Sequence, residues 1–125
     1  MTREKILFIE DILDCILKIE QFIKDMTYEE FCNDEKTASA VMRKIEIIGE
    51  ASKNIPSNIK QKYKDIPWRN MAKIRNKLIH AYFHINYAMV WKTIKEKFPE
   101  LKEKIQLIIK NEKNKVGNEN ESKKI

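Results

Sequence analysis

Glycine is nearly missing from this chain: of 125 residues, only Gly49 and Gly117 are glycines. A dinucleotide fingerprint, a P-loop and a GxSxG elbow each need two or more glycines at short fixed spacing, so none of them can be written here. The nucleotide-binding and hydrolase classes that depend on those loops are excluded. Cysteine is scarce as well. Cys15 and Cys32 stand in helical surroundings, without the density of a disulfide scaffold, which fits a reducing compartment and two small buried apolar side chains. The longest uninterrupted apolar run is Tyr87 to Trp91, far short of a membrane span, and the N-terminus has no stretch resembling a signal peptide. The expectation is a soluble cytoplasmic protein with no membrane association, of a length that suits one domain.

Charge of one sign is in excess, and the excess is local. The formal net charge is +6. Between Lys60 and Lys77 stand Lys60, Lys62, Lys64, Arg69, Lys73, Arg75 and Lys77, against the single anion Asp65. That segment accounts for the whole excess. A basic stretch suits an acidic partner, and for a small domain nucleic acid is the commonest one; a solvated helix face is the plain alternative.

Apolar residues recur at helical spacing through most of the chain. Ile9, Ile12, Leu13, Ile16, Ile19 and Ile23 mark one face of a first long helix, with Thr2 available as its cap. Thr27 and Glu30 form a capping box ahead of a short helix or turn, and Asn33 or Asp34 suits the start of a second long helix striped by Val41, Ile45, Ile48, Ala51 and Ile55. Pro56 stops that helix. Residues 57–66 read as a short helix or ordered loop. Pro67 then opens a third helix running through Trp68, Met71, Ile74, Leu78 and Tyr82, which His84 is placed to end. Asn86 caps a fourth, along Val90, Ile94, Phe98, Leu101, Ile105 and Ile108, in which Pro99 forces a kink or a restart. From Lys110 onward the polar sequence lacks periodicity, so the expected organisation is a helical domain over 1–109 and a disordered tail over 110–125. The fold class is all-α: an up-and-down four-helix bundle with one or two short extra helices.

Chemistry is concentrated in one string, Arg75-Asn76-Lys77-Leu78-Ile79-His80-Ala81-Tyr82. On a continuous helix Asn76 and His80 would lie about 40° apart, Arg75 and Tyr82 about 20°, and Arg75 and His80 about 140°. Arg75 and His80 would then meet most naturally where two copies of the helix face each other across a two-fold axis. A histidine exchanges protons near neutral pH, an arginine stabilises charge on phosphate, and an asparagine orients either one. Together they suit RNA cleavage by attack of a 2′-hydroxyl on its own phosphodiester, without a metal or cofactor. The plain reading is a surface Asn76–His80 pair beside a solvated Arg75. His80 and His84 have the i, i+4 spacing of metal ligands, but no Cys, Asp or Glu lies between Asp65 and Glu96 to complete a site. Trp68 and Trp91 read as core anchors.

The strings RNKLIHAYF, IEIIGEASKNIP and IPWRNMAKIRNKLIH resemble the HepT-like branch of the HEPN domain, the toxin of a prokaryotic toxin–antitoxin pair of type VII character. The resemblance spans roughly residues 4–108. It implies a metal-independent endoribonuclease that works as a homodimer, with Arg75, Asn76 and His80 matching the catalytic motif. It implies further that Tyr82 matches a tyrosine that a partner nucleotidyltransferase antitoxin of the MntA type modifies with AMP. Lys60, Lys62, Lys64, Arg69, Lys73 and Lys77 would then hold the RNA backbone. His84 and Asn86 stand where family members often have Gly and Asp. The competing reading is a non-catalytic helical module that docks the nucleotidyltransferase.

Overall fold

The computed structural model describes residues 3–79 and 84–123, with side chains described as far as residue 114. The first long helix, α1 (Arg3–Phe22), buries Ile9, Ile12, Ile16 and Ile19 completely or nearly so, as their spacing requires. Thr2, its expected cap, lies outside the described residues. The chain leaves α1 through Asp25, whose φ of 60° places it in the left-handed region that Asp tolerates better than most residues.

The start signals act as anticipated. Thr27 Oγ1 accepts from the Glu30 amide and the Glu30 carboxylate accepts from the Thr27 amide, which launches α2 (Tyr28–Cys32). Asp34 caps α3 (Glu35–Lys53) by accepting from the Thr37 amide at 2.9 Å and from Thr37 Oγ1 at 2.6 Å. The side-chain bond from Thr37, followed by the backbone bond, holds the Asp34 carboxyl below its ordinary range. Asn33 closes α2 instead. Helix α3 ends two residues before Ile55-Pro56, and α4 (Ser57–Lys62) follows. Of the two thiols, Cys15 is buried, which pushes its pKa up, whereas Cys32 is only partly covered.

The third helix departs from expectation. It is two single turns, α5 (Trp68–Ala72) and α6 (Ile74–Leu78), separated at Lys73 (φ −110°, ψ 8°). The backbone before the break lies close against α3: a Cβ at Gly49 would stand 3.3 Å from the Met71 carbonyl oxygen, a tight contact, and 3.5 Å from that of Ala72. After Leu78 the chain turns extended, Ile79 pairs with Ile85 in an isolated antiparallel bridge, and the Asn86 amide donates to the Leu78 carbonyl at 2.8 Å. The helix therefore does not reach Tyr82, and His84 lies beyond its end rather than closing it.

Asn86 caps α7 (Tyr87–Lys92) through a bond from the Met89 amide. Next come a π-helical turn, Thr93–Lys97, and α8 (Phe98–Lys123). The chain does not restart at Pro99: Lys92, Thr93 and Phe98 all keep helical dihedrals, the Phe98 amide reaches back to the Thr93 carbonyl, and the widened turn precedes the residue that lacks an N–H. Helix α8 does not stop at Ile109. Glu112 is buried, accepting from Lys62 Nζ at 3.2 Å and Tyr63 Oη at 3.3 Å, and Lys113 pairs with Glu10 at 2.9 Å. Polar composition suggested a tail without structure from Lys110; partners distant in sequence hold the start of that segment instead.

Two pairs of ion pairs set the direction of α8. Glu20 meets Lys102 and Glu10 meets Lys113, so α8 runs antiparallel to α1. Asp65 meets Lys104 and Lys62 meets Glu112, the same sense against α4 and the turn after it. The core between these elements is apolar and continuous, with Phe31 at one end against Trp91 and Tyr87. Trp68 is buried, its Nε1 donating to the Tyr63 carbonyl. The described residues form an all-α bundle in which α5 and α6 occupy the place of a third long helix. No helix among them is long and apolar enough to cross a membrane.

Candidate active site

Helix α6 presents Arg75 and Asn76 beside α3. Arg75 Nε donates to Glu46 Oε1 at 3.1 Å, and the other oxygen of the same carboxylate lies 3.4 Å from Arg43 Nη1. These groups open onto a cleft of about 710 Å³. Its walls are Phe8 and Asp11 from α1, Arg43, Glu46, Gly49, Glu50 and Asn54 along and just beyond α3, and Lys73, Arg75 and Asn76 from the α5–α6 break. The close approach at Gly49 brings α6 near enough for Arg75 to reach Glu46. Arg75 and Glu46 are both partly solvent-exposed, so a ligand in the cleft can reach them.

Electrostatically the cleft is mixed but ordered. Glu46 is shared between two guanidinium groups, and Glu50 is matched by Lys53 Nζ at 3.0 Å. Lys73 adds an exposed cation to the lining, two residues before Arg75 in sequence. With Asp11 the lining holds three carboxylates against Arg43, Lys53, Lys73 and Arg75, a small excess of positive charge.

Asn76 lines the same cleft as Arg75 and is exposed. His80 and Tyr82 lie outside the described residues. Because α6 ends at Leu78 and Ile79 is extended, the angles of a continuous helix do not relate Arg75 to either of them. The bridge between Ile79 and Ile85 ties together the two ends of the stretch that contains both.

The six basic residues expected along the RNA path differ in their relation to the cleft. Only Lys73 joins Arg75 in the cleft. Lys77 lines a separate cavity of about 630 Å³ together with Met89, Lys92 and Lys97. Lys62 is engaged with Glu112 and lies over the Tyr63 ring. Lys64 and Arg69 are exposed and Lys60 is half-buried, and none of these three lines either cavity. Arg43 and Glu46 belong to no catalytic motif in the sequence. The available signal was their spacing: Arg43, Glu46 and Glu50 fall at i, i+3 and i+7, a polar stripe on a helix whose other face is apolar.

Comparison with known proteins bears on what this arrangement does. The sequence profile of the family described as "Ribonuclease HepT-like" matches residues 12–108. A protein of Thermococcus cleftensis named "Probable ribonuclease HepT" is 50% identical over 103 residues, covering 82% of this chain and 94% of the relative. "Putative RNase MJ0127" of Methanocaldococcus jannaschii is 47% identical over 103 residues, covering 82% and 85%. "Putative RNase TTE0752" of Caldanaerobacter subterraneus is 40% identical over 107 residues, covering 85% and 95%. No solved structure matches significantly.

Proposed function

The chain belongs to the HepT-like ribonuclease family, and on that footing we propose that it is an endoribonuclease acting through Arg75, Asn76 and His80. The observation that carries this reading is the placement of Arg75 and Asn76 at the wall of a 710 Å³ cleft, with Arg75 anchored on Glu46 and His80 following five residues later.

The reaction these groups suit is transfer within the RNA itself. The 2′-oxygen bonds to phosphorus as the bond to the 5′-oxygen breaks. One proton leaves the 2′-hydroxyl for a base, and the departing 5′-oxygen takes one from an acid. The products are a 2′,3′-cyclic phosphate and a 5′-hydroxyl. His80 supplies proton transfer, Arg75 stabilises the charge on the phosphorane-like transition state, and Asn76 orients them. Neither step calls for a metal. A homodimer would bring two such sites together.

The wider reading is a toxin of a toxin–antitoxin pair, silenced when a nucleotidyltransferase of the MntA type places AMP on Tyr82. The added group brings a negatively charged phosphate, which would repel an RNA backbone. Lys73 is the basic residue best placed to hold substrate beside Arg75. The test is cleavage of RNA by purified protein in EDTA, with intact mass measured first to establish that Tyr82 is unmodified. Wild-type cleavage that Arg75→Ala and His80→Ala each reduce by at least about 10²-fold supports the reading. Undiminished cleavage by either variant refutes it. A wild type that cuts nothing but binds a nucleotidyltransferase tightly establishes the docking module instead.

A further inference from the structure

The Glu46 carboxylate joins two elements and two cations. It accepts from Arg75 Nε of α6 at 3.1 Å with one oxygen and faces Arg43 Nη1 of its own helix at 3.4 Å with the other. We infer that Glu46 is a positioning residue for Arg75, and that Arg43 keeps the trio cationic so that the anchor does not cancel the charge it holds. This inference rests on the ribonuclease reading of the cleft.

Three observations support it. First, stabilising a transition state requires an arginine's donors to be in place beforehand, and the bond to Glu46 is one of the contacts that orient a side chain 42% exposed. A hydrogen bond at Nε fixes the plane of the guanidinium from one edge. Second, the anchor is on a firm base: Gly49, three residues along α3, packs against the Met71 and Ala72 carbonyls immediately before α6 begins. The spacing from Glu46 to Arg75 is therefore set by backbone contact. Third, an isolated Glu–Arg pair is neutral and would offer an incoming phosphodiester little attraction. With Arg43 on the second oxygen the trio carries a net positive charge. A purely structural role fits less well, because both partners are substantially exposed and such pairs contribute little to stability.

Steady-state cleavage of a defined RNA by Glu46→Ala and Glu46→Gln, with urea unfolding of each, tests the assignment. Glu46→Ala is expected to lower kcat by roughly 30- to 100-fold, with KM within about twofold of wild type and an unchanged unfolding midpoint. Glu46→Gln, whose amide oxygen still accepts from Nε, is expected to recover most of kcat. Full kcat in Glu46→Ala, or equal losses in the Ala and Gln variants, overturns the inference while leaving the ribonuclease reading intact. A wild type that cleaves no RNA refutes both.

Discussion

Lys62 and Glu112 form a pair whose two halves should respond very differently to removal. The Glu112 side chain is 3% exposed and that of Lys62 is 42% exposed. Glu112 also accepts from Tyr63 Oη at 3.3 Å. If Lys62 becomes Met, the carboxylate stays buried with only the tyrosine hydroxyl among these two partners. Breaking a buried pair in this way typically costs about 3–5 kcal/mol. Tyr63 and the water that already reaches Lys62 relieve part of it, which points to about 2–3 kcal/mol for Lys62→Met. Glu112→Gln is the milder change. It keeps the side-chain volume and an oxygen that can still accept from Tyr63 and Lys62, losing only the charge assistance of the bond, so the loss should be near 1 kcal/mol. Replacing both, as Lys62→Met with Glu112→Leu, removes the buried charge and should return stability to within about 1 kcal/mol of wild type. Equilibrium urea unfolding reads all three, with equal m-values as the check that the unfolded state has not changed. A Lys62→Met variant no less stable than Glu112→Gln would refute the argument, because it would mean that the carboxylate is hydrated and α8 is not docked at this point.

Gly49→Ala is expected to be mildly destabilising, by roughly 1 kcal/mol: the Cβ would press on the Met71 carbonyl at 3.3 Å, an overpacking cost of about 1–3 kcal/mol against a gain of about 1 in helix propensity. A higher melting temperature for this variant would show that the α3–α5 approach has slack. Asp34 should make stability depend on acid. Its folded-state pKa lies below the ordinary value near 3.8 because of the bond from Thr37, so its ionised cap contributes fully above the unfolded pKa, and the contribution fades as pH falls through the folded one. The stability difference between wild type and Asp34→Asn should therefore shrink below about pH 4; a difference that persists unchanged to pH 2 would contradict this.

Much of the bundle was legible because local signals and tertiary packing agree. The capping box at Thr27 and Glu30, the caps at Asp34 and Asn86, and the apolar stripes of α1 and α3 each read correctly from a few neighbouring residues. The break at Lys73 was not legible. One residue in a near-helical bridge conformation leaves the spacing of Trp68, Met71 and Leu78 almost undisturbed, so periodicity passes straight across it. The end of α6 at Ile79 depends on pairing with Ile85, and the continuation of α8 depends on Lys62 and Tyr63, fifty residues from Glu112. At the site, Arg75 and Asn76 stood out by motif. Glu46 and Arg43 acquire meaning only once α6 is laid against α3.

The antiparallel closure of α8 on α1 also orders events in time. Glu20 and Lys102 are 82 residues apart in the chain, and α1 contributes Phe8 and Asp11 to the cleft wall. During synthesis α1 can pack on α3 early, yet its other flank stays uncovered until α8 has been made. A wide ring of chain must then close, at an entropic cost that grows only slowly with its size but delays the step. Two segments far apart in sequence thus support one cleft wall: α1 supplies Phe8 and Asp11, and α8 holds α1 through Lys102 and Lys113.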